Sequence, residues 1–296
     1  MNFRLILTVI SALLIGCAEE KPVSSPESNN HLEGIRIASW NLQWFPGKTP
    51  SGGSTGEEQE HIKAVIKELK IIDADILLLQ EIRDTKALQE IVKAIPEYSV
   101  DVVSDFRGTL ELAVLTRAPY KATDGFMEEF VEGSEADPPR GFAYATVMLN
   151  DKDVLAVYSV HLKSNSGGIE ETTAKREESS RQLIAHAESL KERFKNEGKN
   201  LISVIGGDFN SDPTSEKWKE DHTLSLLAEA GFEWTGRDVK QDDRISWLSN
   251  GRYPDAVFDH ILVQALEGYE VSESITHKTT REVSDHRAVV VVVVAE

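Results

Sequence analysis

Six short polar strings hold the side chains able to do chemistry in this chain: Trp40-Asn41, Gln80-Glu81, His161-Leu162-Lys163, Gly207-Asp208-Phe209-Asn210, Asp259-His260 and Ser284-Asp285-His286. Most border an apolar run of the length of a buried strand. Glu81 follows the run 76–79, His161 follows 154–160, Asp208 follows 201–205, and Asp285-His286 precedes 288–294. Carboxylates, an amide and imidazoles at strand ends can converge on one rim. Carboxylate oxygens are hard ligands that suit Mg²⁺, and imidazoles beside them suit proton transfer. Together they are the groups that a divalent metal and a phosphate would require.

The strings need a frame, and hydrophobic periodicity supplies one. Strands are expected at 35–39, 76–79, 98–103, 110–115, 142–149, 154–160, 201–205 and 258–263, with a last one in the Val-rich C-terminal run. Helical spacing marks 57–71, 85–95, the long amphipathic 170–194 and a short helix near 224–230. The Gly/Ser/Thr-rich stretch 46–56 reads as a loop, and the acidic 127–141, with Pro138-Pro139, as a solvated one. A hairpin turning at Asn150-Asp151 joins 142–149 to 154–160. Strands that pair across most of the chain, with helices alternating in, give an α/β class with mixed or antiparallel sheets and helices packed outside.

At 296 residues, 40% hydrophobic and 28% charged, the chain can bury one large or two ordinary cores. Residues 1–16 read as a secretory leader, with Arg4 ahead of an apolar stretch too short to span a bilayer. Leu14-Ile15-Gly16-Cys17 resembles the bacterial lipobox, so Cys17 is expected to be lipidated and to become the first mature residue. Cys17 is the only cysteine in the chain, which leaves no disulfide partner; an exported domain must then rely on its core. Residues 17–33, rich in Pro, Ser, Asn and Glu, read as a flexible tether that would hold the domain 34–296 about 20–25 Å from the membrane. Ala18-Glu19 after Cys17 resembles the outer-membrane sorting pattern of lipoproteins. The expected location is outside the cytoplasm, at the outer membrane or on the periplasmic or cell-surface side.

The formal charge is −18, or −19 without the leader, whose one charged side chain is Arg4. Such a surface repels polyanions and argues against a broad duplex-binding face. It does not exclude a phosphodiester, because bound metal inverts the local field.

Taken in order, Ser39-Trp40-Asn41, Leu79-Gln80-Glu81, His161-Leu162-Lys163-Ser164, Gly207-Asp208-Phe209-Asn210, Phe258-Asp259-His260-Ile261 and Ser284-Asp285-His286 resemble the endonuclease/exonuclease/phosphatase superfamily, which includes deoxyribonuclease-I-like enzymes. Gly-Asp-x-Asn alone can be a turn, whereas six strings in order at strand ends are specific. The resemblance covers residues 35–295. It implies a four-layer α/β/β/α sandwich of two mixed β-sheets flanked by helices, with the site where the sheets meet. It also implies a cofactor: Mg²⁺ or Mn²⁺, with Ca²⁺ a further candidate.

In the resembling pattern Glu81 is the central metal carboxylate. Asn41 orients it or reaches the metal, and Asp285 is a further ligand. Asp208 and Asn210, two apart, share a face if the backbone is extended. The resemblance has one of them activate water and the other donate to a phosphoryl oxygen. His286 is implied to hydrogen-bond the scissile phosphate, with Asp259 holding the imidazole in its charged form. His161 is implied at the leaving oxygen. Arg140 and Lys163 are candidate phosphate contacts, and His260, on the opposite face to Asp259, is expected to pack or lie at the surface.

Departures narrow the branch. The abasic-site nucleases carry no His at the position of His161. Inositol phosphatases usually show an Arg where Asp212 stands, and Cys-Asp-Arg where this chain has Phe258-Asp259-His260. The expected activity is metal-dependent hydrolysis of phosphodiester bonds by an exported, membrane-tethered, monomeric nuclease, on short or single-stranded nucleic acid. Two other readings stay open. One is a phosphodiesterase or phosphatase on lipid headgroups or small nucleotides. The other is a non-catalytic binding lipoprotein on the same scaffold, which would not need both imidazoles and every carboxylate.

Overall fold

A computed structural model describes residues 34–296 apart from Arg107 and Thr109. The expected leader, lipidated Cys17 and tether lie outside the described residues. The first half of the domain runs β1 (Ile35–Phe45), α1 (Thr55–Ile72), β2 (Ile76–Ile82), α2 (Thr85–Ala94), β3 (Tyr98–Val103), β4 (Glu111–Arg117) and β5 (Ala122–Glu129). It continues through β6 (Gly141–Met148), β7 (Asp153–His161), α3 (Ile169–Asn196), β8 (Asn200–Asp208), α4 (Thr223–Glu229) and β9 (Glu233–Trp234). The last elements are α5 (Gln241–Arg244), β10 (Asp259–Gln264), β11 (Tyr269–Thr276) and β12 (Val289–Ala295).

The strands form two six-stranded sheets, ordered β11-β12-β1-β2-β4-β3 and β5-β6-β7-β8-β10-β9. Both are mixed: β1–β2 and β7–β8 are parallel and the other pairs antiparallel. Alternation along the strands builds the layers. In β12, Val289, Val291 and Val293 enter the core between the sheets with Ile37, Leu78, Val114, Val157 and Val204. Val290 points the other way, into the layer with Val65 and Leu69 of α1 and Leu88 of α2. On the far side, Leu183, Ala187 and Leu190 of α3 cover Ala156, Tyr158 and Ile205. This is the expected four-layer α/β/β/α sandwich.

Helix ends follow local chemistry. Ser54 and Glu57 form a capping box that starts α1, and Asp73 ends it in the left-handed region. Asp84 caps α2 through the Ala87 amide.

The strands β1, β5, β9 and β11 differ from the sequence reading; β9 is a two-residue edge strand paired with β10. β1 runs on to Phe45 because Trp40, Leu42 and Phe45 bury in the outer layer under α1 and α2. β5 claims part of the stretch expected to be a solvated loop, and β11 was not expected at all. Both are edge strands with mostly solvated side chains, so neither shows a clean apolar alternation.

Candidate active site

The two parallel pairs aim four strand ends at one rim. Asn41 lies near the end of β1, Glu81 near the end of β2, and His161 and Asp208 close β7 and β8. Two antiparallel partners enter from the other direction. Asp259 opens β10 directly opposite Asp208, and His286 lies just before β12, bridged to Trp247. Gly207 lets β8 lie this close to β7: a Cβ there would come within 2.0 Å of the Val160 carbonyl oxygen.

Glu81 is presented by a distortion. The register between β2 and β4 shifts between Leu79 and Ile82, and Glu81 takes a left-handed φ of 59°. Such strain costs on the order of 1–3 kcal/mol and persists only where surroundings hold it. Trp44 N–H donates to Glu81 Oε2 at 2.9 Å, and Asn41 Nδ2 to Oε1 at 3.2 Å.

Asp208 Oδ2 is the hub. Asn41 Nδ2 donates to it at 3.1 Å, while His161 Nε2 lies 3.5 Å and His286 Nε2 3.7 Å away. His286 Nδ1 donates to Asp259 Oδ2 at 2.7 Å. The carbonyl of His286 accepts the Trp40 indole N–H at 3.0 Å, and its N–H donates to Ser284 Oγ at 3.0 Å. The Ser284 hydroxyl donates to the Asn41 carbonyl at 2.8 Å, and Gln43 Oε1 accepts the Asp285 N–H at 3.2 Å. The segment 284–286 is thus laced to β1.

Burial sets the charges. It raises Asp208 to about 7, against the pull of charged His286. It raises Glu81 as well. Burial opposes charge on His286, but the Asp259 and Asp208 carboxylates outweigh it and lift the imidazole to about 10. His161 falls well below the ordinary histidine value through burial and the nearby Arg140 and His286 charges. At neutral pH the rim therefore holds one charged and one neutral imidazole on either side of a carboxylate poised to exchange a proton.

Of the expected metal ligands, Glu81 presents a buried carboxylate, Asn41 turns Nδ2 rather than its oxygen toward it while Oδ1 accepts the Gln43 N–H at 3.0 Å, and Asp285 Oδ2 lies 3.9 Å from Arg281 Nη1. The Glu81 oxygens accept only uncharged donors, and no Lys or Arg pairs with it among the described residues. A desolvated carboxylate that no Lys or Arg neutralises is a hard oxygen donor that suits a divalent cation. Asp208, Asp259 and His286 also offer donor atoms within 4.8 Å of one another. There Asp259 and the charged imidazole already engage each other at 2.7 Å, which leaves Glu81 the carboxylate more available to a divalent cation.

Other sequence expectations fare differently. Asn210 and Asp208 do not share a face through extended backbone. Asn210 is left-handed, with φ 53°, and its N–H donates to Asp208 Oδ1 at 2.9 Å, so an Asx turn brings it to the rim. Lys163 does not face the rim with a free ammonium: its Nζ donates to the carbonyls of Ser164 and Ser166 at 3.1 and 2.7 Å. Arg140 lies near the rim, its guanidinium donating to the His161 and Leu162 carbonyls. Burial lowers its pKa, and the nearby Asp208, Glu81 and Glu111 charges oppose that shift. His260 packs, edge-on to Phe209 and Trp234, with Nε2 donating to the Ser211 carbonyl at 2.9 Å.

Sequence reading also missed a layer of support. Gln80 Nε2 donates to Ser39 Oγ and Ser159 Oγ, at 3.3 and 3.0 Å, tying the two sheets together beneath the rim. A buried Gln in an otherwise apolar strand was the available signal.

A two-sheet sandwich with this rim belongs with the hydrolases of phosphate esters. The chain is a member of the Endonuclease/Exonuclease/phosphatase family, whose profile matches residues 38–286. The human Nocturnin catalytic domain with bound sulfate shares the fold at a TM-score of 0.63 and 18% identity, over 89% of this chain and 95% of that one. A family protein from Bacteroides thetaiotaomicron gives 0.64 and 18%, over 89% and 95%. D. rerio TDP2 complexed with single strand DNA product gives 0.61 and 16%, over 88% and 98%. Comparison with curated protein sequences returns no match.

Proposed function

We propose that this protein is a divalent-metal-dependent phosphodiesterase of the nuclease type, exported and held at a membrane by a lipid on Cys17. The carrying observation is the Asp208 carboxylate, pushed up to about 7 and flanked by His161 and by an Asp259-held His286. A cation held by Glu81, Asn41 and Asp285 would supply Lewis-acid polarisation of a phosphoryl oxygen.

The other steps belong to the chain. Asp208 takes a proton from the attacking water. His286, charged and oriented by Asp259, donates from Nε2 to a phosphoryl oxygen as its charge grows. Asn210 donates its amide to the same group. Neutral His161 donates a hydrogen bond to the leaving oxygen. The fold relative D. rerio TDP2 carries a single strand DNA product. The chain's charge of −18 favours the same substrate class over long duplex.

The test uses the full chain in detergent with Mg²⁺, Mn²⁺, Ca²⁺ or chelator. Substrates are single-stranded DNA, RNA, plasmid, sphingomyelin and bis-p-nitrophenyl phosphate. Metal-dependent cleavage that His286→Ala abolishes supports the proposal, and absence of turnover on every substrate rejects it. Turnover of sphingomyelin alone would move the assignment to lipid headgroups. Mass spectrometry of the Cys17 peptide from a bacterial host tests the anchor, which an unmodified thiol in soluble protein would refute.

A further inference from the structure

The sheet that carries His161 and Asp208 ends on one side in the two-residue β9 and on the other in β5, whose eight residues leave an open edge. The Phe130 N–H donates to the Arg140 carbonyl at 2.8 Å, and the register holds Phe126 opposite Tyr144 and Glu128 opposite Phe142. Antiparallel alternation then turns the backbone groups of Phe126 and Glu128 toward β6 and those of Gly125, Met127 and Glu129 outward. None of these outward groups bonds another backbone group among the described residues. Exposed edges of this length are ordinarily guarded by Lys, Pro or a bulge. β5 contains neither residue, and its one bulge lies at its start, between Ala122 and Asp124.

The edge also carries apolar surface. Asp124, Phe126 and Glu128 share the face toward α3. Phe126 is 48% exposed and leans on Tyr144, with ring centres 5.7 Å apart. Beside it a cleft of about 500 Å³ runs between β5 and α3, lined by Phe142, Tyr144 and Leu190. Val131 is 67% exposed, its N–H and carbonyl clamped by the Gln182 amide at 3.0 and 2.8 Å. Around this apolar strip the charge has one sign. From Ala122 to Asp137 the chain holds Asp124, Glu128, Glu129, Glu132, Glu135 and Asp137 and no Lys or Arg. Glu135 meets Arg181 at 3.4 Å, and Glu128 lies 3.2 Å from His186 Nε2; the rest have no cationic partner among the described residues. Arg193, the one Lys or Arg lining the cleft, turns to Glu197 at 3.4 Å.

We propose that β5 takes up an extended basic strand of a partner polypeptide, with cationic side chains opposite Asp124 and Glu128 and an apolar one opposite Phe126. Main-chain bonds to Gly125 and Met127 supply affinity, and the alternate side chains supply selectivity. The apolar side chain covers Phe126 at the mouth of the cleft. A second copy of this chain fits the edge badly. Two β5 strands paired antiparallel about Phe126 would set Asp124 of each against Glu128 of the other, and like charges directly opposite destabilise a pair. β6 separates this edge from β7, so the surface takes no group from the rim and recruits a partner rather than a substrate.

The test is peptide binding. Full chain in detergent is titrated with fluorescein-labelled Thr-Lys-Val-Phe-Val-Lys-Thr. One control, Thr-Lys-Pro-Phe-Pro-Lys-Thr, keeps the charge and lacks the two central N–H donors. The other, Thr-Glu-Val-Phe-Val-Glu-Thr, reverses the charge. Wild type should bind the first peptide at least about fivefold more tightly than either control, as the loss of two hydrogen bonds requires. Asp124→Lys/Glu128→Lys should reverse the preference toward the Glu peptide. Glu60→Lys/Glu90→Lys, the same change of charge at exposed positions of α1 and α2, should leave it as in wild type. Circular dichroism of both variants should match wild type. Equal binding of the Val and Pro peptides by wild type would mean long-range attraction alone and would overturn strand addition. An unchanged preference in Asp124→Lys/Glu128→Lys would do the same. Wild-type dimers in sedimentation that Phe126→Glu disperses would overturn it too, by giving the edge to a second copy.

Discussion

Asn41 Nδ2 reaches Asp208 Oδ2 across the gap between the two sheets, at 3.1 Å. The same amide holds Glu81 Oε1 at 3.2 Å. One side chain thus fixes the spacing between the residue that would hold metal and the residue that would move a proton. Asn41→Ala leaves two desolvated carboxylates without their shared donor. Its kcat/KM should fall by about 10²–10³, as when a positioned donor is lost from an active site. Asn41→Asp should fall further, because it adds a third carboxylate. A wild-type rate in Asn41→Ala would show that the spacing is set elsewhere.

Asp259 and His286 act as one unit. Their 2.7 Å bond joins two buried groups, and Asp259 heads the influences that raise the imidazole. Asp259→Asn keeps the shape and removes the charge, so His286 should lose its proton near neutral pH. Activity should drop by about 10²–10⁴. The double variant Asp259→Asn/His286→Ala should cost little more than the worse single one. Fully additive losses in a double-mutant cycle would mean that the two residues serve separate steps.

The rim was legible because its residues sit at the ends of apolar strands. Strand ends in an α/β layer structure are where loops converge, so Glu81, His161, Asp208 and Asp285-His286 could be placed together before any contact was known. What resisted was backbone conformation. The left-handed Glu81 and Asn210 leave no periodicity to read. Asn at position 210 tolerates that region, but the sequence alone equally allowed an extended chain. β5 and β11 were hidden because an edge strand with a solvated face has few apolar residues to alternate.

Arg176 is fully buried, and its guanidinium holds Asp221, whose side chain is 2% exposed, with Nε 3.0 Å from Oδ2. Nη1 also donates to the Lys163 carbonyl at 3.1 Å, bracing the chain just after His161. Arg176→Met strands the Asp221 carboxylate in the interior. Stability should fall by about 3–5 kcal/mol, measured as a lower urea midpoint. Adding Asp221→Leu should recover much of the loss. A midpoint within error of wild type in the single variant would show that water reaches Asp221.

His61 supplies a pH dependence away from the rim. Burial and the Lys48 charge lower it from 6.5 to about 4, and its Nδ1 accepts the Gly47 N–H at 3.0 Å. Between these values the unfolded chain binds the proton and the folded one does not. Stability from this group is therefore complete above pH 6.5 and declines as pH falls toward 4. His61→Gln lacks the titration. The stability difference between wild type and variant should shrink or reverse by about 2–3 kcal/mol over that window. A difference that is flat with pH would contradict the burial assigned to His61.

Asp208 should trade stability against function. Its folded pKa is raised from 3.8 to about 7, chiefly by burial, so without metal the folded state binds the proton more tightly than the unfolded one. The ionised carboxylate therefore destabilises the fold increasingly as pH rises from 3.8 toward 7. Asp208→Asn removes that burden while keeping an acceptor for Asn41. In chelator at pH 7.5 it should be more stable than wild type by on the order of 1–3 kcal/mol, with the gain vanishing near pH 4. Turnover should be lost in the same protein, because no proton acceptor remains. Glu81→Gln should also stabilise the metal-free fold, since burial raises Glu81 too. It should further abolish any stabilisation by added Mg²⁺, which for wild type grows with ligand concentration by mass action. Thermal melts of the three proteins with and without Mg²⁺ decide the matter. A destabilised Asp208→Asn that still turns over substrate would contradict both the electrostatics and the role given to this carboxylate.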